Sequence, residues 1–166
     1  MIRKEPLPDH ALHAGYARQG SYADCYSTDI DRQVGLAGFV AAFYTTWLFK
    51  LERAILALLV NKPSTDEQAA AIARGQRQDF AAWTEEARAG DQLLMCDFQG
   101  NTRSWFMVAP VGGVTRLYFG SVVVRRRDPA TGQLAMGRGF SLLLGFHKLY
   151  SRALLRAAHA RLHKNR

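Results

Sequence analysis

Apolar and polar positions show their clearest order between Arg103 and Arg127, RSWFMVAPVGGVTRLYFGSVVVRRR. Two apolar, aromatic-rich runs flank Gly112-Gly113, and such residues suit a pleated surface. The pattern predicts two long antiparallel strands and a tight turn, because paired glycines take the positive φ that a type I′ turn needs. Pro110 lacks an N–H, so a bulge or the strand end is expected just before the turn. Leu117, Phe119, Ser121 and Val123 fall on one strand face; Tyr118, Gly120, Val122 and Val124 fall on the other. Both faces are largely apolar, so one must meet a helix and the other more sheet or a cavity. Gly120 in mid-strand allows a bend or a close approach.

The rest of the chain can be placed around that sheet. Residues 1–20 are polar, with Pro6, Pro8, Gly15 and Gly20, and read as an extended arm or loop. Residues 21–29 contain a strand with Tyr22, Asp24 and Tyr26 on one face. If that face points inward, Asp24 needs a partner; an edge strand with this face wet is the plain alternative. Leu36, Phe39, Val40 and Phe43 follow helical spacing, and Trp47, Leu48, Leu51, Ile55 and Leu59 continue it, with Lys50, Glu52 and Arg53 on the wet side. β-Branched Thr45-Thr46 resists helix, so a short helix to Tyr44 and a longer one to Val60 are expected.

A third helix is expected over 65–77, with Ser64 and Glu67 as its capping box and Gly75 weakening its end. Residues 80–88 either continue the third helix or form a strand; a strand at 81–88 is favoured, with Trp83, Glu85 and Ala87 on one side. Gln92 to Phe98 is a further strand, and DPATGQ after Arg127 is a turn; 134–141 is a short strand or a loop. The last helix spans about Ser141 to His163, with an apolar stripe of Phe146, Leu149, Tyr150, Ala153, Leu154 and Ala157. The fold class is α+β: a curved antiparallel sheet packed against a long C-terminal helix, as one domain over 21–166 behind an arm at 1–20.

Charge adds an asymmetry to this picture. Residues 1–102 carry 10 basic and 13 acidic side chains, whereas 103–166 carry 12 basic and 1 acidic, which concentrates the net +8 in the second part. Such a face suits an anionic membrane or an acidic partner. Nucleic acid is set aside, since no aromatic–basic recognition motif accompanies the charge. A solvated, solubilising face is the plain reading. Charges interrupt every apolar run, so no transmembrane segment is expected. The N-terminus lacks an apolar signal core, and Cys25 and Cys96 have no motif spacing, which together point to reduced, buried thiols in the cytoplasm.

Chemistry-bearing motifs are sparse. Gly112-Gly113 has no lysine or following helix to make a phosphate loop. No cofactor or metal is expected: His159 and His163 stand four apart on a basic, exposed helix face, and His10 and His13 sit in the flexible arm. His147 lies near the start of the last helix. Facing the sheet, it would meet Asp24, Arg103 or Tyr118 across a cavity, an acid, base and phenol together. Arg103 and Trp105 share a face beside Arg116 and Tyr118, a row able to hold the carboxylate or phosphate of an apolar ligand. Each residue also has a plain role, His147 as a boundary histidine and the row as cross-strand pairing.

The element order resembles the helix-grip fold of the START and plant-allergen-like superfamily, also called polyketide-cyclase-like. TRLYFGSVVV followed by LLLGFHKLYSRALLRAA is similar to the C-terminal part of one uncharacterised bacterial family of that superfamily, also found fused behind Rossmann domains in dehydrogenase-like proteins. Gly145-Phe146-His147-Lys148-Leu149 matches its PFHRL pattern with glycine in place of proline, and Trp83 with Glu85/Glu86, then Leu93-Leu94, resembles its preceding strands. The resemblance implies a fold and a hydrophobic cavity, and no mechanism. The leading expectation is therefore binding of a small apolar or amphipathic molecule between sheet and C-terminal helix. Asp24, Tyr26, Trp83, Arg103, Trp105, Tyr118 and His147 are the candidate ligand-binding residues. The alternatives are an enzyme using acid–base chemistry in that cavity, and an interaction module whose basic helix contacts membrane or a protein partner.

Overall fold

The computed structural model describes residues 1–127, 134–135 and 140–164, with backbone alone at 60, 126–127, 134–135 and 140–147. The hairpin around Gly112-Gly113 is its centre: β6 (Thr102–Val111) pairs with β7 (Val114–Val123), Val111 opposite Val114. Gly112 and Gly113 have φ of 55° and 87°, the left-handed pair this turn requires. Of the two expectations for Pro110 the bulge is absent, since it stays in register opposite Thr115, and β6 ends at the next residue, Val111, just before the turn.

Five more strands extend the hairpin. β1 (Arg3–Lys4), β2 (Tyr22–Ile30), β3 (Asp79–Phe80), β4 (Trp83–Arg88) and β5 (Gln92–Asp97) complete a curved seven-stranded antiparallel sheet. Its order is β1-β2-β7-β6-β5-β4-β3, so β4 to β7 form the expected meander. β2 is not an edge strand, since β1 and β7 flank it. A register shift between Glu85 and Ala87 sends Ala87 to the opposite face from Trp83 and Glu85, which corrects their expected common side. A separate two-stranded ladder joins β8 (Arg126–Arg127) to β9 (Leu134–Ala135); the expected DPATGQ turn lies outside the described residues.

One sheet face carries the main core. Phe106 and Phe119 lie on it, and α2 (Leu36–Tyr44) presses Phe43 against both at ring distances of 4.8 and 4.6 Å. The helix break falls where the threonines predict. Thr46 Oγ1 donates to the Phe43 carbonyl at 2.9 Å and accepts from the Phe49 amide at 3.2 Å, ending α2 and capping α3 (Trp47–Val60). The next capping box sits one residue beyond expectation, on Thr65 and Gln68. Ser64 is drawn off by Arg53, whose guanidinium donates to its hydroxyl and carbonyl. α4 runs Asp66–Ala73 and stops before Gly75, with Arg88 donating to its final carbonyls.

The long helix α5 (Phe140–Lys164) packs on the same sheet face through only part of the expected stripe, Leu154 and Tyr150. Leu154, Leu155, Ala158 and Leu162 are buried, while Leu149 is exposed and Phe146 lies outside the described side chains. Leucines remove more apolar area from water than Ala153 and Ala157 do, so they set the rotation. His159 leaves the exposed face it was assigned: its Nε2 lies 3.0 Å from the Asp29 carbonyl.

Residues 1–20, expected as an arm or loop, instead cover the second sheet face. β1 pairs with β2, and the short helix α1 (Ala14–Arg18) follows a segment laid over the sheet. Ala11 and Ala14 pack with Cys25, Leu94, Trp105 and Met107. Neither further sheet nor a cavity was needed to cover that face.

Candidate functional site

The seven candidate residues do not converge. Asp24, Tyr26 and Trp83 lie on the helix-covered face; Arg103, Trp105 and Tyr118 lie on the face under the N-terminal segment. The expected meeting of Asp24 with Arg103 or Tyr118 fails because the sheet stands between them. His147 falls in α5 where side chains lie outside the described residues. Glu85 shares a cross-strand row with Asp24 through Ser121, Ser104 and Met95, but four strand spacings separate them, about 19 Å.

Most of these side chains are occupied by the fold. Asp24 is buried and accepts from the Ser121 amide at 2.9 Å, the Ser121 hydroxyl at 2.6 Å and the Tyr22 hydroxyl at 3.0 Å. The inward-facing alternative therefore holds, and Asp24 has its partners. Trp83 packs against the main core from the β4 side of the sheet. Arg103 donates to Glu86 at 3.0 Å and to the Gly100 carbonyl at 2.7 Å, and its guanidinium covers the Tyr16 ring. Arg116 is paired with Asp29 at 2.6 Å. The row that was to hold a ligand anion has its cations taken by carboxylates of the protein.

Trp105 is fully buried beneath His13, ring centroids 4.4 Å apart. Its Nε1 donates to Gln92 Oε1 at 2.8 Å, and the same oxygen accepts from the Leu12 amide at 3.0 Å. Gly120 permits this packing: a Cβ there would stand 2.5 Å from the Asp24 carbonyl oxygen and 2.9 Å from both His13 Nε2 and Trp105. His13 Nε2 lies 3.3 Å from that carbonyl, and burial lowers the histidine pKa to about 4. His13 is thus neutral, with the proton on Nε2 donating to Asp24. Cys25, next to Asp24, is also buried, and burial pushes its thiol up to about 12. This buried polar cluster attaches the N-terminal segment to the sheet.

Tyr26 lines an open space. A cleft of about 510 Å³ runs between α5 and the start of α3, with Ile2 at one side. Its apolar walls include Trp47, Leu48, Leu149, Ala153 and Ala157, and Arg152 and Arg156 stand within it. It continues past Leu149 and Arg152 into a groove with Lys4, Tyr26 and Lys148. Arg152 and Arg156 are exposed, and neither is paired with a carboxylate among the described residues. Lys148 lies 5.5 Å above the Tyr22 ring. Below the cleft, the Tyr150 hydroxyl on α5 donates to Glu52 on α3 and ties the two helices together. Burial raises the Glu52 pKa while the tyrosine bond opposes it.

These lining residues were legible only in part. Arg152 and Arg156 belong to the basic terminal run, but Ile2 and Trp47 carry no local signal that they meet it. Comparisons of the chain with protein-family models, curated proteins and solved structures find no match.

Proposed function

We propose that the chain binds a small amphipathic anion in the cleft between α3 and α5, apolar body against Trp47, Leu48, Leu149 and Ala157, acidic group toward Arg152 and Arg156. One observation carries this reading: an apolar-walled space of about 510 Å³ with two guanidinium groups that no carboxylate among the described residues occupies. That size falls within the range of small-molecule sites, and guanidinium pairs well with carboxylate or phosphate. The reading moves the expected ligand site from the centre of the sheet to the outer edge of α5, because α2 fills the centre with aromatic rings. The helix-grip relationship remains compatible with it, supported by the meander and the C-terminal helix. Binding is favoured over acid–base catalysis, since Asp24 and Glu85 stand far apart and Asp24 is held by Ser121 and Tyr22.

Calorimetric titration with sodium dodecanoate below its micelle concentration tests the site. One molecule per chain is expected to bind. Arg152→Ala with Arg156→Ala should weaken binding about tenfold, and Ala157→Trp should abolish it by filling the cleft. Absence of binding, or equal binding by the Ala157→Trp variant, overturns the reading.

A further inference from the structure

α3 is built inside out. Its exposed positions include Trp47, Leu51, Ile55, Leu58 and Leu59, at 73%, 54%, 47%, 85% and 78% exposure. A surface helix ordinarily turns such residues to the core and its charges to water. Here the charges are engaged within the protein, Lys50 while still exposed. Arg53 is 8% exposed and reaches Ser64 and Asp66; Lys50 also pairs with Asp66; Glu52 accepts from Tyr150. The inward anchor is Phe49, 3% exposed and packed on Phe43 and Tyr44. The outward face is thus a continuous apolar stripe about 17 Å long from Trp47 to Leu58.

Isolated exposed leucines need no explanation, but a contiguous stripe beside a charged rim marks an interaction surface. The rim is cationic. Arg152 and Arg156 stand beside Trp47 across the cleft, and exposed Lys62 follows the other end of the helix. The nearby acids Asp66 and Glu52 are engaged by Lys50, Arg53 and Tyr150; Glu67, at the start of α4, is the exposed exception. A second copy docked on the same face would bring equivalent cations toward one another. An anionic lipid surface complements both features, since it accepts apolar side chains below and cations among its phosphates. A 14-residue helix is about 21 Å long, short of the ~30 Å hydrocarbon layer, and no described helix is long and apolar enough to cross a membrane. α3 would therefore lie in the plane of the interface, with Trp47 at headgroup depth.

We infer that the outward face of α3 docks this chain onto anionic lipid bilayers, with Arg152, Arg156 and Lys62 contacting headgroup phosphates. The inference shares Trp47, Arg152 and Arg156 with the cleft reading but rests on the apolar stripe, which extends to Leu58 and Leu59, beyond the cleft lining.

Vesicle flotation tests it, using phosphatidylcholine vesicles with and without about one-third phosphatidylglycerol. The protein is expected to float with the anionic vesicles at low salt, and less so at high salt or with phosphatidylcholine alone. Leu51→Glu with Leu58→Glu should cut binding about tenfold or more. Both side chains are exposed, and circular dichroism checks that the double variant folds. A measurement on the unaltered protein guards against misfolding of the variant: brominated acyl chains should quench emission from the exposed Trp47. Ala157→Trp, which closes the cleft, should still float, so the two readings fail separately.

Failure to bind anionic vesicles at low salt overturns the inference. So does undiminished binding by the double variant, loss of binding in Ala157→Trp, or emission left unquenched by brominated lipid. A concentration-dependent dimer dissolved by Leu51→Glu with Leu58→Glu would assign the face to a second copy instead.

Discussion

Two regions of this chain invert the usual placement of polar and apolar groups, and they differ in one respect. Under the N-terminal segment and directly through the sheet from it, polar groups are inside: His13 and Gln92 on the near face, Asp24 and Ser121 on the far one, are all buried. On α3, apolar groups are outside. In the first region, protein partners account for most of the inversion, since Gln92 bonds Trp105 and Leu12 while Asp24 bonds Ser121 and Tyr22; His13 Nδ1 is the buried atom without a hydrogen bond. Nothing among the described residues covers the second. A buried polar group with its partners is part of the fold; an exposed apolar face without one points to something the fold does not contain.

That contrast can be broken by mutation, starting with the largest effect. Trp105→Ala removes the platform beneath His13 and should cost about 4 kcal/mol in urea-induced unfolding. A cost below about 1 kcal/mol would mean that the segment over the sheet contributes little to stability.

The pH dependence of the same region comes next. His13 titrates at about 4 when folded against 6.5 ordinarily, because burial opposes its charge. The unfolded chain therefore takes up this proton at higher pH. Stability is full above about pH 6.5 and falls as the pH drops toward 4, by on the order of 3 kcal/mol from this residue alone. Unfolding at several pH values should show a shallower fall in His13→Asn than in the unaltered chain. Parallel curves would remove His13 from the account.

The smallest effect belongs to α3. Leu58→Ser should change stability by no more than about 0.5 kcal/mol, because the side chain is already in water. A large loss would mean that Leu58 is covered within the folded chain, and the comparison with His13 would lose its point.

Several features were readable locally. Gly112-Gly113 marked the hairpin, and Thr45-Thr46 marked the boundary between α2 and α3. The rotation of α3 was not readable, for a specific reason. WLFKLERAILALLV has apolar residues on nearly every side, so periodicity admits more than one inward face. The choice was made by Phe49 entering the aromatic cluster and by Arg53 finding Ser64 and Asp66. Expected site residues fared unevenly for a related reason. Alternation placed Asp24 and Tyr26 on one strand face, but could not say which layer would cover each side of the sheet. Arg103 and Trp105 suggested a ligand row; Glu86 and His13, 17 and 92 residues away along the chain, took those positions instead.

The sequence by itself determined the order of the main elements from β2 onward, the turn at Gly112-Gly113 and the antiparallel meander, because turn chemistry and strand alternation act over a few neighbouring residues. Only the tertiary structure decided that residues 7–16 close one sheet face, that α2 fills the other, and that α3 turns its leucines to solvent. Those outcomes depend on pairs distant in sequence, His13 over Gly120, Leu12 on Gln92 and Arg53 on Asp66, and each exists only once the chain has brought its two members together.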